Sequence, residues 1–160
     1  MTAAKDKPDS CVRAKPDGPQ VRTWVQLVRA YQRIARRLEQ ALDERGLSLS
    51  QFEVLAHVHF GSGITQSELA ERLLVTKGNV CGLIDRLEAA GLVVRRSDPA
   101  DRRANRLFLT PAGEALLAAT LPTHLAIIEE MLGGLRGSEL KVLHDQLERV
   151  ADRAEATLTG

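Results

Sequence analysis

Cysteine is nearly absent from this 160-residue chain, which carries only Cys11 and Cys81. Two thiols cannot build a disulfide framework or a structural zinc site, and their scarcity points to a reducing cytoplasm. Aromatic residues are 3% of the chain, so its core must be mostly aliphatic. No excess of either charge exists: the formal net charge is +1. Any surface for a polyanion must therefore come from uneven placement of charge. No run approaches the ~20 apolar residues of a membrane span. The opening MTAAKDKPDS holds no apolar stretch of the kind that directs secretion. Catalytic signatures are missing too. There is no Gly-x-Ser-x-Gly, His-Glu-x-x-His or Walker-type loop to organise a nucleophile, metal or phosphate. An enzyme working through Cys81 or His57 has no motif behind it, and no cofactor or catalytic residue is implied.

What is present is leucine and alanine in quantity, with 44% hydrophobic and 27% charged residues. That balance belongs to a globular protein leaning toward helix. Residues 1–20 hold three of the six prolines and alternating charges, and read as a flexible tail. From Val21 a stripe of Trp24, Val28, Tyr31, Ala35, Leu38 and Leu42 marks one face of a long helix ending near Gly46. A helix this long and this apolar on one side asks for more partner surface than a small domain offers. Three short helices follow, each with a start signal. Ser50 and Glu53 form a capping box with Leu49 and Val54 as its staple, and Thr65 and Glu68 repeat the device with Ile64 and Leu69. Thr76 opens the third, between Val75 and Val80, and Gly91 stops it.

Leu92–Arg96 and Arg106–Thr110 read as two strands of a hairpin. Thr110 and Pro111 then start a long helix, which Pro122 should kink or break. Ser138 caps a last helix with Leu140, Leu143, Leu147, Val150 and Ala154 on one face. The fold class is mainly α with a small β-hairpin. The organisation is a tail over 1–20, long helices over 21–46 and 111–156, and a compact unit over 47–110.

Residues 65–91 have the pattern of a helix-turn-helix. On its second helix Val80, Leu83, Ile84 and Leu87 share the inner side. The outer side carries Gly78, Gly82 and Asp85, flanked by Lys77, Asn79, Cys81 and Arg86. Small residues let a helix lie close to a groove wall, and polar residues near its N-terminus meet base edges. Gln66, Ser67, Thr76 and Lys77 sit at helix starts, where free N–H groups favour phosphate. The hairpin decides the reading. Residues 95–106 hold five arginines (Arg95, Arg96, Arg102, Arg103, Arg106) against Asp98 and Asp101, which pair with neighbouring arginines and orient them. Basic charge on a thin ribbon beside a helix-turn-helix is the footprint of a DNA-binding wing.

The stretch Thr76 to Glu88 followed by Gly91-Leu92-Val93 resembles the recognition helix of the MarR family of bacterial transcription regulators. Asp98-Pro99-Ala100-Asp101-Arg102-Arg103, with Leu107-Phe108-Leu109-Thr110-Pro111-Ala112-Gly113, resembles its wing. The resemblance implies a homodimer. Its long helices would form the interface, and two winged helix-turn-helix domains would read an inverted repeat in double-stranded DNA. Carried onto this chain, the DNA-binding set is Gln66, Ser67, Thr76, Lys77, Gly78, Asn79, Cys81, Gly82, Arg86, Arg96, Asp101, Arg102 and Arg103. Arg102 or Arg103 would enter the minor groove, with Asp101 holding it. The family usually has a hydroxyl or small residue where Cys81 stands. The function implied is repression relieved by a small effector resembling an aromatic acid, with Trp24, Tyr31, His57 and Phe60 as candidate lining. Arginines of the first helix (Arg29, Arg33, Arg36, Arg37) could meet a carboxylate. The alternative is the same scaffold switched by oxidation of a cysteine. Glu53 and His57 stand at i,i+4, a spacing that can hold a metal, but no third ligand joins them, so no metal site is expected.

Overall fold

The computed structural model describes residues 18–98 and 104–158. Its order is α1 (Pro19–Asp43), α2 (Leu49–Phe60), α3 (Gln66–Arg72), α4 (Lys77–Ala89), β1 (Val93–Ser97), β2 (Asn105–Leu109), α5 (Pro111–Leu132) and α6 (Gly137–Leu158). Helix α1 starts earlier than the composition shift suggests. Pro19, whose φ is preset for a first helical turn, stands there behind Gly18 as N-cap.

Helix α2 begins two residues before the expected box. The cap is Ser48, not Ser50. Its hydroxyl accepts from the Gln51 N–H, and the Gln51 side chain accepts from the Ser48 N–H. The local sequence offers both options, and packing selects between them. With Ser48 as cap, Leu47 and Phe52 become the hydrophobic staple, and both are buried. The Thr65–Glu68 box forms as the spacing predicts, with Ile64 and Leu69 buried as its staple. Thr76 caps α4 through the Asn79 N–H, and Gly91 ends it at φ 70°. Thr110 caps α5. Ser138 does not cap α6. The helix begins at Gly137, and Glu139 reaches back to the Arg136 N–H at 2.8 Å.

The strands pair antiparallel, Val93 with Leu109 through Ser97 with Asn105. The Leu107 N–H also donates to the Ile64 carbonyl (2.9 Å), which ties the hairpin to the approach of α3. One aliphatic core joins these elements. Val54, Leu55, Leu69, Val80, Ile84, Leu87, Leu107 and Leu117 bring α2, α3, α4, β2 and the start of α5 together. Gly113 is required where α5 crosses the wing. A Cβ there would stand 2.1 Å from the Leu92 carbonyl oxygen.

Pro122 does not break α5, which runs unbroken to Leu132. By length and composition alone, α5 is long and apolar enough to cross a membrane. Thr120, Pro122, Thr123 and His124 interrupt any continuous apolar run, and Leu117 and Ile127 are buried within the chain. The apolar stripe of α1 is fully buried only at its C-terminal end, at Leu38 and Leu42; Val28 and Ala35 are half-buried, while Trp24 and Tyr31 are 63% and 65% exposed. No residue of α6 whose side chain is described is buried, and Val142, Leu143, Leu147 and Val150 face solvent.

Candidate nucleic-acid interface

Helix α4 is anchored by Val80, Ile84 and Leu87, spaced to share one side and all buried. Its opposite side presents Lys77, Gly78, Asn79, Cys81 and Arg86 to solvent, with Gly82 half-buried. The two glycines leave this face low. A Cβ at Gly78 would meet nothing within 4 Å, and one at Gly82 only the Arg86 guanidinium, at 3.9 Å. The Gln66 side chain donates to the Cys81 sulfur at 3.6 Å. The start of α3 and the second turn of α4 therefore share one face, as the helix-turn-helix reading requires. Ser67 is exposed beside Gln66. The N-terminus of α3 is already partly occupied. The Thr65 N–H donates to the Glu68 carboxylate at 2.7 Å, and this bond leads the influences holding Glu68 below the usual carboxylate range.

The wing's charge is distributed differently from the sequence expectation. Arg95 is not displayed as a free cation, and Asp85 is not simply part of the open face. The Arg95 guanidinium bonds Asp85 at 2.5 Å and pairs with Glu88, both from α4. This clamp fixes the first strand of the wing against the recognition helix. Arg106 is likewise engaged, with Asp98 at 2.8 Å and the Gly63 carbonyl at 3.0 Å. The expected pairing of Asp98 with a wing arginine is therefore present, and it pins the base of the wing. Arg96 is exposed, with its guanidinium 4.8 Å from the centre of the Phe108 ring. A cation stacked this way keeps its charge and loses freedom of movement. Asp101, Arg102 and Arg103 lie outside the described residues, as does Cys11.

None of the four candidate effector residues lines the two hollows that border α1. Trp24 and Tyr31 are exposed on α1, and Phe60, at the end of α2, is 70% exposed. His57 is half-buried, and burial, then the Arg72 charge, lowers its pKa. Glu53, one turn away, is pushed up by burial. Leu38, Arg45, Thr120, Thr123, His124 and neighbouring aliphatic groups meet in a seam between α1 and α5 with no room for a water molecule. His124 stacks on Phe52 with ring centroids 4.2 Å apart, and its buried Nδ1 has no hydrogen-bond partner. Burial lowers its pKa as well. The sequence sets His124 far from Glu53 and His57 and gives no local sign of its stacking on Phe52. On α6, His144, Asp145 and Glu148 place potential ligand atoms within 4.8 Å of one another. Those groups already pair, His144 with Glu148 and Asp145 with Lys141.

A family model described as the MarR family matches residues 45–104. The chain is 36% identical over 114 residues to the transcriptional regulator HosA of Escherichia coli O111:H-, covering 71% of this chain and 83% of HosA. Among solved structures it is similar to a cysteine-to-serine variant of Escherichia coli MarR complexed with operator DNA. The TM-score is 0.78 at 25% identity, over 86% of this chain and 99% of that one. It is also similar to Bordetella bronchiseptica BpsR, whose DNA binding is regulated by 6-hydroxynicotinic acid. Here the TM-score is 0.73 at 29% identity, over 81% of this chain and 98% of that one.

Proposed function

The chain belongs to the MarR family of DNA-binding transcription regulators, and on that premise we propose that it is a homodimeric repressor released from a palindromic operator by a small aromatic acid. The observation that carries this reading is the outer face of α4, kept low by Gly78 and Gly82, with the wing clamped beside it by Arg95. The proposed DNA contacts are Gln66, Ser67, Thr76, Lys77, Gly78, Asn79, Cys81, Gly82 and Arg86 toward the major groove, with Arg96, Asp101, Arg102 and Arg103 on the wing. Dimerisation is supported by the apolar surface of α1, α5 and α6 that one protomer leaves in water. Two copies that bury it against each other set two recognition helices on a twofold axis, and half-sites about one helical turn (~34 Å) apart follow. No catalytic role is proposed. The relatives described above are regulators, and a DNA target implies a cytoplasmic address.

Release works by population shift. The two reading heads must match a fixed half-site spacing, so a ligand that favours another spacing opposes DNA. A tenfold preference per site is worth ~1.4 kcal/mol, and two sites lower DNA affinity about a hundredfold. That BpsR responds to an aromatic acid supports the ligand class. Trp24, Tyr31, His57 and Phe60 remain the proposed lining, completed across the dimer. The test joins sedimentation, footprinting and calorimetry with a panel of aromatic carboxylates. A dimer, a protected inverted repeat, and an acid that binds about tenfold more weakly at each site in the presence of operator are expected. A monomer at micromolar concentration with no palindrome in the footprint overturns the reading. One observation favours a second switch: Cys81 is exposed on the DNA-facing side. Peroxide-induced release that a thiol reverses, and that Cys81→Ser abolishes, would select it.

A further inference from the structure

The turn between α3 and α4 carries an unusual residue. The Val75 N–H donates to the Ala70 carbonyl and the Leu74 N–H to that of Glu71, each at 3.1 Å. This is a Schellman-type cap, which requires a left-handed residue after the helix and normally takes glycine, since a Cβ is strained there. Here that residue is Leu74, at φ 53°, the single non-glycine residue of positive φ among the described residues. The strain is not offset by packing within the chain. Leu74 is 92% exposed, the most exposed large apolar side chain described. A strained backbone that holds an apolar side chain in water finds its rationale in a partner outside the chain.

Position identifies that partner. Leu74 stands two residues before Thr76, the N-cap of α4, and so borders the end of the recognition helix that meets base edges. The residues that follow it into α4, Val75, Thr76, Lys77 and Gly78, are exposed as well. Leucine has no hydrogen-bonding group in its side chain, and the one apolar feature among base edges in the major groove is the thymine 5-methyl group. We propose that Leu74 is a specificity-determining residue, packing on a thymine methyl at the groove edge beside the bases met by the first turn of α4. This rests on the winged helix-turn-helix reading of the interface and adds a base contact that the polar residues cannot make.

The full chain is used to select duplexes in vitro. Each thymine of the selected site is then replaced by deoxyuridine, which removes the methyl and keeps the pairing. Wild type, Leu74→Gly and Leu74→Asn are compared on every duplex, with a melting curve for each protein. Both variants tolerate the left-handed backbone, so melting temperatures at or above wild type are expected. At one thymine per half-site the wild type should lose about fourfold on loss of the methyl, the worth of one buried methyl-sized group. Both variants should bind the thymine duplex more weakly and no longer distinguish it from deoxyuridine. A flat deoxyuridine scan for wild type overturns the proposal. So do variants that bind as tightly as wild type, or that weaken equally without losing the thymine preference. Failure of the wild type to select any duplex overturns the operator reading along with it.

Discussion

Adding one methyl to each of Gly78 and Gly82 should separate the stability of the fold from its fit to DNA. Both residues lie within α4, and neither has a positive φ. Added Cβ atoms meet no protein atom closer than the Arg86 guanidinium, at 3.9 Å. Nothing inside the chain therefore opposes Gly78→Ala with Gly82→Ala. Glycine in a helix interior costs up to ~1 kcal/mol relative to alanine, and less near an end. Gly78 is in the first turn, so the pair together should stabilise by about 1 kcal/mol. For a chain of this size that raises the melting temperature by about 2–4 °C. DNA binding should move the other way. The two methyls stand on the face proposed to lie against the groove, and raising that face lifts Lys77, Asn79 and Arg86 from their hydrogen bonds. Loss of even one good base contact, at ~1–3 kcal/mol, lowers affinity at least about fivefold. Calorimetric melting and fluorescence anisotropy on the selected operator give the two numbers. A more stable variant with wild-type affinity would refute the claim that this face opposes DNA. A less stable one would show that the glycines serve the fold.

Gly113→Ala should act in the opposite sense. Its Cβ would stand 2.1 Å from the Leu92 oxygen, so overpacking of about 1–3 kcal/mol outweighs the gain in helix propensity and the melting temperature falls. A rise in melting temperature would contradict the contact. Leu143→Asp with Leu147→Asp, both at exposed positions on α6, should leave the winged domain folded and shift sedimentation from dimer to monomer; an unchanged dimer would place the interface elsewhere. Stability should also depend on pH. His57 and His124 are held below their ordinary value by burial, so below about pH 6.5 the unfolded chain takes up protons that the folded chain refuses. The melting temperature should be highest above that pH and decline toward pH 5. His124→Phe, which keeps a ring against Phe52, should reduce the decline, and an identical pH profile for this variant would exclude His124 as a contributor.

Much of the fold was legible in the linear sequence because its signals are local. The Thr65–Glu68 box, the Thr76 and Thr110 caps and the Gly91 stop each depend on residues within a few positions. The inner face of α4 follows from helical periodicity alone. The recognition helix and the arginine-rich hairpin were readable for the same reason. Ser48 against Ser50 shows where locality ends. Both serines offer a box, and the choice depends on Leu47 and Phe52 finding the core together.

The tertiary structure decided which groups meet across distant segments. Sequence supplied five arginines near the wing; only packing commits Arg95 to Asp85 and Glu88, and Arg106 to Asp98 and Gly63. The same holds for His124 on Phe52 and for Leu74, whose exposure and left-handed backbone no residue pattern announces. The apolar stripes of α1 and α6 were visible as periodicity, but that the chain by itself leaves them largely open is a fact of packing. Hydrogen bonds within a turn and the repeat of a helix are set by neighbouring residues. Ion pairs, orphaned buried nitrogens and uncovered faces are set by how whole elements come to rest against one another.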